Sequence, residues 1–428
     1  MSGEPAGAHF AAPIGGDAAA TVGSDGAPHW PLSPKRAVTL ALICGAAGLA
    51  AWALWIWVFF RDPGQDWMVF YTAARAYFDG NLPLVFDGRT LTAALNQRFA
   101  LWLSQPLILH PWVYPPSFLL LFLPFGLLPP AASLAAFLLI GFVAAILAAL
   151  LHFGRGMPRW IAAFSLLLCP AVPFDVMTGQ NAFFTSALLL GGFGLLGRSP
   201  VLAGALFGVL TLKPQLWLLV PVALLATRQW RALVSTAASA AALALLSLAV
   251  FGPGIWQAWI AMMTGADEAY RAWVTAGRLN GVSVFACVSA LNAPQALASL
   301  AQWVAVALAA AFVYETYRHR SMPSLQLAAL LAATMLAAPH ASASDAVLLG
   351  LAAGLFITAP RMSGLRTSEI VLAAAVWISP LFAPPRLLPP GALTPLLILL
   401  FLAMVMAAMR RYAADVVDPA GVAASAGQ

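Results

Sequence analysis

A few polar side chains interrupt an otherwise apolar chain, and their types suggest the chemistry they could perform. Asp66 follows a Pro-Gly pair and precedes an aromatic-rich segment, while Lys213 stands between two apolar runs. A carboxylate such as Asp66 can accept a proton as a general base, or it can cap a helix N-terminus. An unpaired cation between apolar runs is costly. A phosphate group, an internal carboxylate or snorkelling to an interface would each offset the charge of Lys213.

Other polar positions have both a structural and a functional interpretation. Gln180 and Asn181 can donate hydrogen bonds to substrate hydroxyl groups, or they can bond the backbone of a tight turn. Tyr114 precedes two prolines, which fix an extended approach to a helix, so its role is mainly structural with substrate contact as the alternative. Asp62 ends the first apolar run and is either a solvated charge or a second substrate contact.

Metal and cofactor chemistry is not indicated by the sequence. His340 and Asp345 bracket the start of an apolar run, but the chain has no Asp-x-Asp pair and no Cys/His cluster with ligand spacing. No Gly-rich phosphate loop follows a strand pattern. We therefore expect neither a metal site nor a cofactor.

The elements that position these residues must lie in a membrane. Of the 428 residues, 62% are hydrophobic and only 8% are charged, against roughly 25% charged residues in soluble domains. A soluble core could not bury this much apolar sequence. The apolar runs are long and do not alternate with a period of two, so helices are favoured over a barrel. The sequence predicts an all-α polytopic membrane protein.

The distribution of charge predicts its orientation. One set of short connections carries basic residues; they are Lys35/Arg36, Arg155/Arg159, Arg198, Arg228/Arg231, Arg318/Arg320, Arg361/Arg366 and Arg410/Arg411. The alternate set carries Asp62/Asp66, Asp175, Lys213, Asp267/Glu268, His340/Asp345 and Arg386. The positive-inside rule places the basic set in the cytoplasm. The net charge of +6 is thus explained by membrane orientation, and no nucleic-acid partner is expected.

The organisation predicted along the chain is a single membrane domain between two tails. Residues 1–35 form a disordered cytoplasmic tail, 36–412 the transmembrane domain and 413–428 a flexible C-terminal tail. Two long amphipathic loops, 61–114 and 252–282, lie on the outer face. In the first, aromatic and small residues at helical spacing predict a helix lying in the membrane interface; they are Trp67, Phe70, Tyr71, Ala74, Tyr77 and Phe78.

The number of crossings is ambiguous, and we expect about 10–13 membrane helices. Thirteen apolar runs cannot place both termini in the cytoplasm. Either one of the runs within 116–153 is shallow or re-entrant, or 201–212 and 215–227 form one Pro-broken crossing, since both are short for full spans.

Several segments together resemble glycosyltransferase family 87. The segment DWMVFYTAARAYFDG at residues 66–80 is similar to the stretch that follows the first span in that family. Later segments resemble further blocks of the family in the same order; they are Tyr114-Pro115-Pro116 with Pro124 and Pro129, Gly179-Gln180-Asn181, Leu212-Lys213-Pro214-Gln215 with Arg228 and Arg231, Asn280-Gly281-Val282-Ser283, and Pro339-His340 with Asp345. The resemblance covers about residues 37–410. Ser344 departs from it, since many members carry an aromatic residue there.

The resemblance implies a GT-C fold and an inverting transfer of a hexose or pentose, as in mannosyltransferases of the family. The donor would be a polyprenyl-phosphate sugar and the acceptor an extracytoplasmic lipid or polysaccharide. Asp66 would be the general base, and Lys213 and His340 would bind the donor phosphate. His340 can instead bond only backbone, and Asp345 is a further candidate substrate contact. The protein would lie in the bacterial inner membrane with its active site facing outward.

Two other functions are weighed against this one. A transporter or flippase would also use Pro-broken helices and buried polar residues, but the chain shows no repeated half and its polar residues lie at the outer face. A noncatalytic membrane scaffold would not need Asp66 and Lys213 together.

Overall fold

A computed structural model describes residues 34–59, 62–152, 166–264, 282–319, 322–359, 364–382 and 393–417, and the regular elements among them are all helices. The predicted all-α membrane fold is therefore confirmed. Residues 1–33 of the predicted tail 1–35, residues 265–281 of the second loop and residues 418–428 of the predicted tail 413–428 lie outside the described part. The first described helix begins at Pro34 and the last one continues to Val417.

The helices follow the apolar runs closely. In chain order they are α1 (Pro34–Phe59), α2 (Gln65–Phe78), α3 (Gly88–Arg98), α4 (Pro116–Gly126), α5 (Pro130–Ala149), α6 (Ala171–Thr178), α7 (Ala182–Leu195), α8 (Pro200–Val209), α9 (Pro214–Trp217), α10 (Val220–Ala226), α11 (Trp230–Phe251), α12 (Pro253–Met263), α13 (Val284–Ala290), α14 (Gln295–Arg318), α15 (Pro323–Ala337), α16 (Val347–Thr358), α17 (Thr367–Ile378) and α18 (Leu393–Val417). Prolines begin many of them, since a missing backbone N–H costs nothing at the first helical position.

Five described helices are long and apolar enough to cross a membrane, namely α1, α5, α11, α14 and α18. Shorter apolar helices of 10–17 residues accompany them; they lie at Pro116–Gly126, Ala182–Leu195, Pro200–Leu212, Pro214–Ala226, Pro323–Ala337, Val347–Thr358 and Thr367–Leu381. The chain is a multi-pass membrane protein, and the shorter helices pack among the long ones.

Contacts between α8 and α11 decide one of the two topological alternatives. Ser235 Oγ donates to the Val201 carbonyl (2.6 Å), and Ser239 Oγ donates to the Ala205 carbonyl (3.0 Å). The two helices therefore run in the same direction. The chain must therefore return across the bundle between the end of α8 and the start of α11. Segments 200–212 and 214–226 are two passes, and the single Pro-broken crossing is wrong.

The position of α4 explains why thirteen apolar runs are compatible with both termini on one side. A β-carbon on Gly64, just after α1, would lie 3.3 Å from Leu134 Cδ2 in the first turns of α5. Tyr71 Oη of α2 donates to the carbonyl of Leu128, between α4 and α5 (3.0 Å). The chain is thus at the same end of the bundle before and after α4. This helix is therefore the shallow or re-entrant piece, and it adds no crossing.

The start of α1 and the end of α18 lie close together. Arg36 near the start of α1 donates to the Leu365 carbonyl (3.4 Å), and Arg411 near the end of α18 pairs with Glu369 in the first turn of α17. Both ends of the membrane domain therefore lie at one end of the bundle, which we call the basic end. This agrees with termini on one side; that this side is the cytoplasm stays a prediction.

Helix α2 forms where the aromatic stripe predicts it, and the stripe packs mainly against protein. Trp67, Met68, Phe70 and Ala74 are all buried within the protein, where the helix packs against α3 and α4. The residues between the stripe positions, such as Ala73, are buried as well. The aromatic stripe therefore contacts protein, because small and apolar residues let most faces of this helix pack closely; the position of the helix in the membrane interface stays a prediction.

Candidate active site

Asp66 is positioned by the turn that begins α2. Gly64 takes the N-cap position at φ +82°, a conformation that favours glycine, and its N–H donates to the Met177 carbonyl (2.7 Å). Asp66 is the second residue of the helix, so the interpretation of Asp66 as the N-cap is wrong. The carboxylate instead points to other side chains, with a quarter of its surface exposed.

Gln180 approaches Asp66 from the turn that ends α6. Gly179 has φ +70° and packs on α2, so that a β-carbon there would lie 2.5 Å from Trp67 Cβ. Gln180 Oε1 accepts from Tyr114 Oη (2.8 Å) and from the Asn181 N–H (3.0 Å). These two donors fix the orientation of the amide, whose Nε2 then donates to Asp66 Oδ2 (3.2 Å). Gln180 thus bonds the backbone of the turn, as one of its two interpretations predicts, and also contacts Asp66; its bond to a substrate hydroxyl stays a prediction.

Tyr114 lies in the extended segment that leads into α4, as the proline pair predicts: Pro115 has φ −64° and ψ 155°, and the helix begins at Pro116. Burial raises the pKa of Tyr114 to about 12. The phenol therefore stays protonated at neutral pH and remains a donor to Gln180.

His110 is the site residue that the sequence reasoning missed. Its Nε2 lies 2.8 Å from Asp66 Oδ1, and about a quarter of its side chain is exposed. The two residues are 44 positions apart and no helical periodicity relates them. The available signal was a histidine within the predicted outer loop, close before the Tyr114-Pro115-Pro116 block.

Lys213 has an internal carboxylate partner. Pro214 disfavours a helical conformation at the preceding residue, so the chain breaks at Lys213 between a 3-10 turn and α9. The ammonium group donates to Asp345 Oδ1 (2.5 Å) and to Asn181 Oδ1 (3.1 Å) and is almost completely buried. Of the alternatives open for Lys213, the structure displays the ion pair; contact with a donor phosphate stays a prediction.

Asp345 is held on its other side as well. Its Oδ2 accepts from the Ser342 N–H (3.1 Å) and from Ser342 Oγ (3.0 Å). Ser344, the departure from the family pattern, is buried and bonded to Ser342 Oγ (2.6 Å). The small residues before Asp345 therefore form a polar turn that orients the carboxylate toward Lys213.

Asp175 is a further buried carboxylate near this cluster, and the sequence analysis gave it no role. Its Oδ1 accepts from the Ala182 N–H at the start of α7 (3.2 Å), and its side chain is fully buried. Among the described residues, neither Asp175 Oδ2 nor Asn181 Nδ2 has a hydrogen-bond partner. Asn181 thus presents an unused donor within the polar site.

Asp62 and His340 stand apart from these bonds. Both Asp62 oxygens accept from Ser104, from its N–H (2.5 Å) and its Oγ (2.7 Å), so Asp62 fixes the loop that follows α3. The exposed His340 imidazole packs beside Phe285, with ring centroids 6.2 Å apart. Substrate contacts of these two residues stay predictions.

No group of three or more potential metal ligands occurs within the described ranges. The site contains one partly exposed carboxylate, that of Asp66, which is bonded to His110 and Gln180. It also contains the buried ion pair of Lys213 and Asp345. This arrangement can accept a proton from a hydroxyl group and can hold polar substrate atoms.

Fold and site together define a multi-pass helical membrane protein with a polar site at the end of the bundle opposite the basic end. Residues 112–339 match the model of glycosyltransferase family 87, and since the match covers more than half of the chain, the chain belongs to that family. The predicted family is confirmed, and the protein is a glycosyltransferase. No curated protein and no solved structure matches the chain.

The family match contains Tyr114, Gln180, Asn181 and Lys213 but begins after Asp66 and His110. Asp66 enters the site through its bond to Gln180. Geometry therefore connects the N-terminal segment with the part of the chain that defines the family.

Proposed function

We propose that this glycosyltransferase moves a hexose or pentose from a polyprenyl-phosphate carrier to a glycolipid or polysaccharide acceptor, with Asp66 as general base. The observation that carries the proposal is the environment of Asp66. It is fixed by His110 and Gln180 and remains partly exposed, whereas Asp175 and Asp345 are buried. A base must reach the hydroxyl group that it deprotonates, and Asp66 is placed to do so.

The reaction is a single displacement. The acceptor oxygen attacks the anomeric carbon, the bond from that carbon to the carrier phosphate breaks, and Asp66 receives the acceptor proton. The configuration at the anomeric carbon inverts. One carboxylate is sufficient for this step, which fits a site with only one partly exposed carboxylate among its described members.

The donor phosphate would lie near Lys213 and His340. An ammonium group has three N–H donors, and Asn181 and Asp345 accept two of those of Lys213. In this proposal the third N–H of the buried ammonium would donate to a phosphate oxygen that enters the site, and the exposed His340 would provide a second contact. The sugar hydroxyls would meet Asn181 Nδ2.

We further propose that the site faces outward from the bacterial inner membrane. The basic end, with Arg36 and Arg411, would be cytoplasmic by the positive-inside rule, which leaves Asp66 on the outer side. The test replaces the exposed Arg89 with cysteine in a variant whose three native cysteines have been removed. This cysteine should react with an impermeant thiol reagent in intact cells. Reaction only after permeabilisation would contradict this orientation.

Donor class is the test of the proposed reaction. The purified protein should use a polyprenyl-phosphate sugar, should not use nucleotide sugars, and should remain active in EDTA. Radiolabelled transfer to envelope lipid extract measures all three. Transfer from a nucleotide sugar, or strict dependence on a divalent ion, would overturn the proposal.

A further inference from the structure

The two oxygens of Asp66 are held unequally. His110 Nε2 lies 2.8 Å from Oδ1, a normal charge-assisted distance, whereas Gln180 Nε2 lies 3.2 Å from Oδ2. Each carboxylate oxygen can accept two hydrogen bonds. Each oxygen therefore has one further acceptor position, and Oδ2, which has the longer bond, is the less tightly held of the two.

His110 itself lies in a segment without regular structure, yet that segment is fixed by side chains of α3. The His110 N–H donates to Thr92 Oγ1 (2.9 Å), and the buried Thr92 hydroxyl donates to the Gly88 carbonyl (2.6 Å). Three residues earlier, Leu107 exchanges two bonds of 2.9 Å with the side chain of Asn96. These bonds hold the backbone on which the imidazole is carried.

The protonation pattern of the pair follows from the role of Asp66. A general base is ionised before reaction and accepts hydrogen bonds only, so Nε2 of His110 must carry its proton toward Oδ1. Gln180 is a neutral donor whose orientation is fixed by Tyr114 and Asn181. Of the side chains that the described residues bring to Asp66, His110 makes the shorter bond and alone can become charged.

We propose that His110 is a positioning residue for catalysis, whose Nε2–H holds Asp66 Oδ1 so that Oδ2 faces the acceptor hydroxyl. This inference rests on the proposed function of Asp66. Glutamine can replace this contact, because its side-chain amide can present an N–H at a reach similar to that of Nε2. Alanine cannot, and it leaves a space that is open to solvent on one side.

The test compares His110→Ala, His110→Gln and Asp66→Asn in the purified full-length protein, with a polyprenyl-phosphate sugar as donor. We expect kcat to fall about 10- to 100-fold in His110→Ala, the loss typical of a misplaced catalytic group, with little change in the donor KM. His110→Gln should recover most of kcat. Added imidazole should partly restore His110→Ala, because the site is exposed on one side, and a merely structural role would not respond to imidazole.

A matched control exists at the opposite end of the molecule. His319 Nε2 lies 2.8 Å from Glu315 Oε1, the same distance as in the His110 pair, and is more exposed. His319→Ala should keep wild-type kcat and should not respond to imidazole.

The outcomes separate the two proposals. Wild-type turnover in His110→Ala with an inactive Asp66→Asn protein would overturn the role of His110 and leave that of Asp66 standing. Activity in both variants would overturn the proposed function. A loss in His110→Ala that neither glutamine nor imidazole repairs would show that His110 acts through loop structure, which also contradicts the inference.

Discussion

Replacing Lys213 with methionine removes the cation from a buried ion pair while keeping a side chain of similar length. The Lys213 and Asp345 side chains are 4% and 0% exposed, and Nζ lies 2.5 Å from Oδ1. At an effective dielectric constant of about 20, two unit charges at that distance attract by about 6–7 kcal/mol. Burial of both groups offsets much of this attraction, but removing one partner leaves the other charge unpaired in the interior.

We therefore expect Lys213→Met to lower the free energy of unfolding by about 3–5 kcal/mol, the usual cost of breaking a buried pair. The double variant Lys213→Met/Asp345→Asn, in which both charges are absent, should recover most of that loss. Asparagine still offers an acceptor to the N–H and hydroxyl of Ser342, which now bond Asp345.

Thermal melts in detergent, with donor binding measured on the same samples, test this reasoning. Lys35→Met at the exposed start of α1 is the matched control and should change stability by less than about 0.5 kcal/mol. A Lys213→Met protein as stable as the wild type would refute the argument from the buried pair. A double variant that regains stability but binds the donor weakly would support a hydrogen bond from the third N–H of Lys213 to the donor phosphate. Normal donor binding by that variant would contradict this contact.

Two further substitutions test how the site is held. Gly179→Ala should destabilise the protein by about 1–3 kcal/mol and reduce turnover, because its β-carbon would lie 2.5 Å from Trp67 Cβ at φ +70°. Gly80→Ala is the control, since Gly80 has a similar φ of +73° but nothing within 4 Å. It should lower the melting temperature less and keep turnover. Asp87→Ala should cost about 1 kcal/mol because Asp87 caps α3, as melts at neutral pH would detect. The backbone hydrogen bond from Thr90 lowers the pKa of Asp87. The stabilisation that the Asp87 carboxylate provides is therefore present above pH about 4 and is lost as the pH falls through the lower folded pKa. Equal melting of wild type and variant at neutral pH would contradict the capping role.

Much of the fold could be predicted because membrane helices are specified locally. Apolar runs and prolines define the helices, and the charge rule separates the two ends of the bundle. The crossing count could not be decided from these signals, because α4 is as apolar as a spanning helix. Only its contacts, such as that of Tyr71 with Leu128, place it at one end.

The candidate site was predictable where a polar residue interrupts an apolar run. This criterion finds Asp66, Gln180 and Lys213. In the structure Gln180 bonds Asp66, and Lys213 bonds Asn181, the residue after Gln180. His110 could not be found by this criterion, because it lies in a loop where polar residues are common. Its bond to Asp66 depends on how α3 holds that loop, which is tertiary information.

The residues that contact the aromatic stripe of α2 also depend on tertiary structure. An aromatic stripe at helical spacing fits both a lipid interface and a protein core. The choice depends on the residues between the stripe positions, and here Ala73 and Met68 allow close packing.

The role of Asp66 is tested most directly by sugar transfer in Asp66→Asn beside Asp79→Asn. Asp79 also lies in the segment after α1, but it is 42% exposed and pairs only with Arg75 and Arg98 among the described residues, a surface arrangement worth about 0–1 kcal/mol. With both proteins folded and binding the polyprenyl-phosphate donor, Asp66→Asn should reduce the transfer rate by about 10²- to 10⁴-fold, and Asp79→Asn should transfer at nearly the wild-type rate. Wild-type transfer by a folded Asp66→Asn protein would contradict the assignment of Asp66 as the general base.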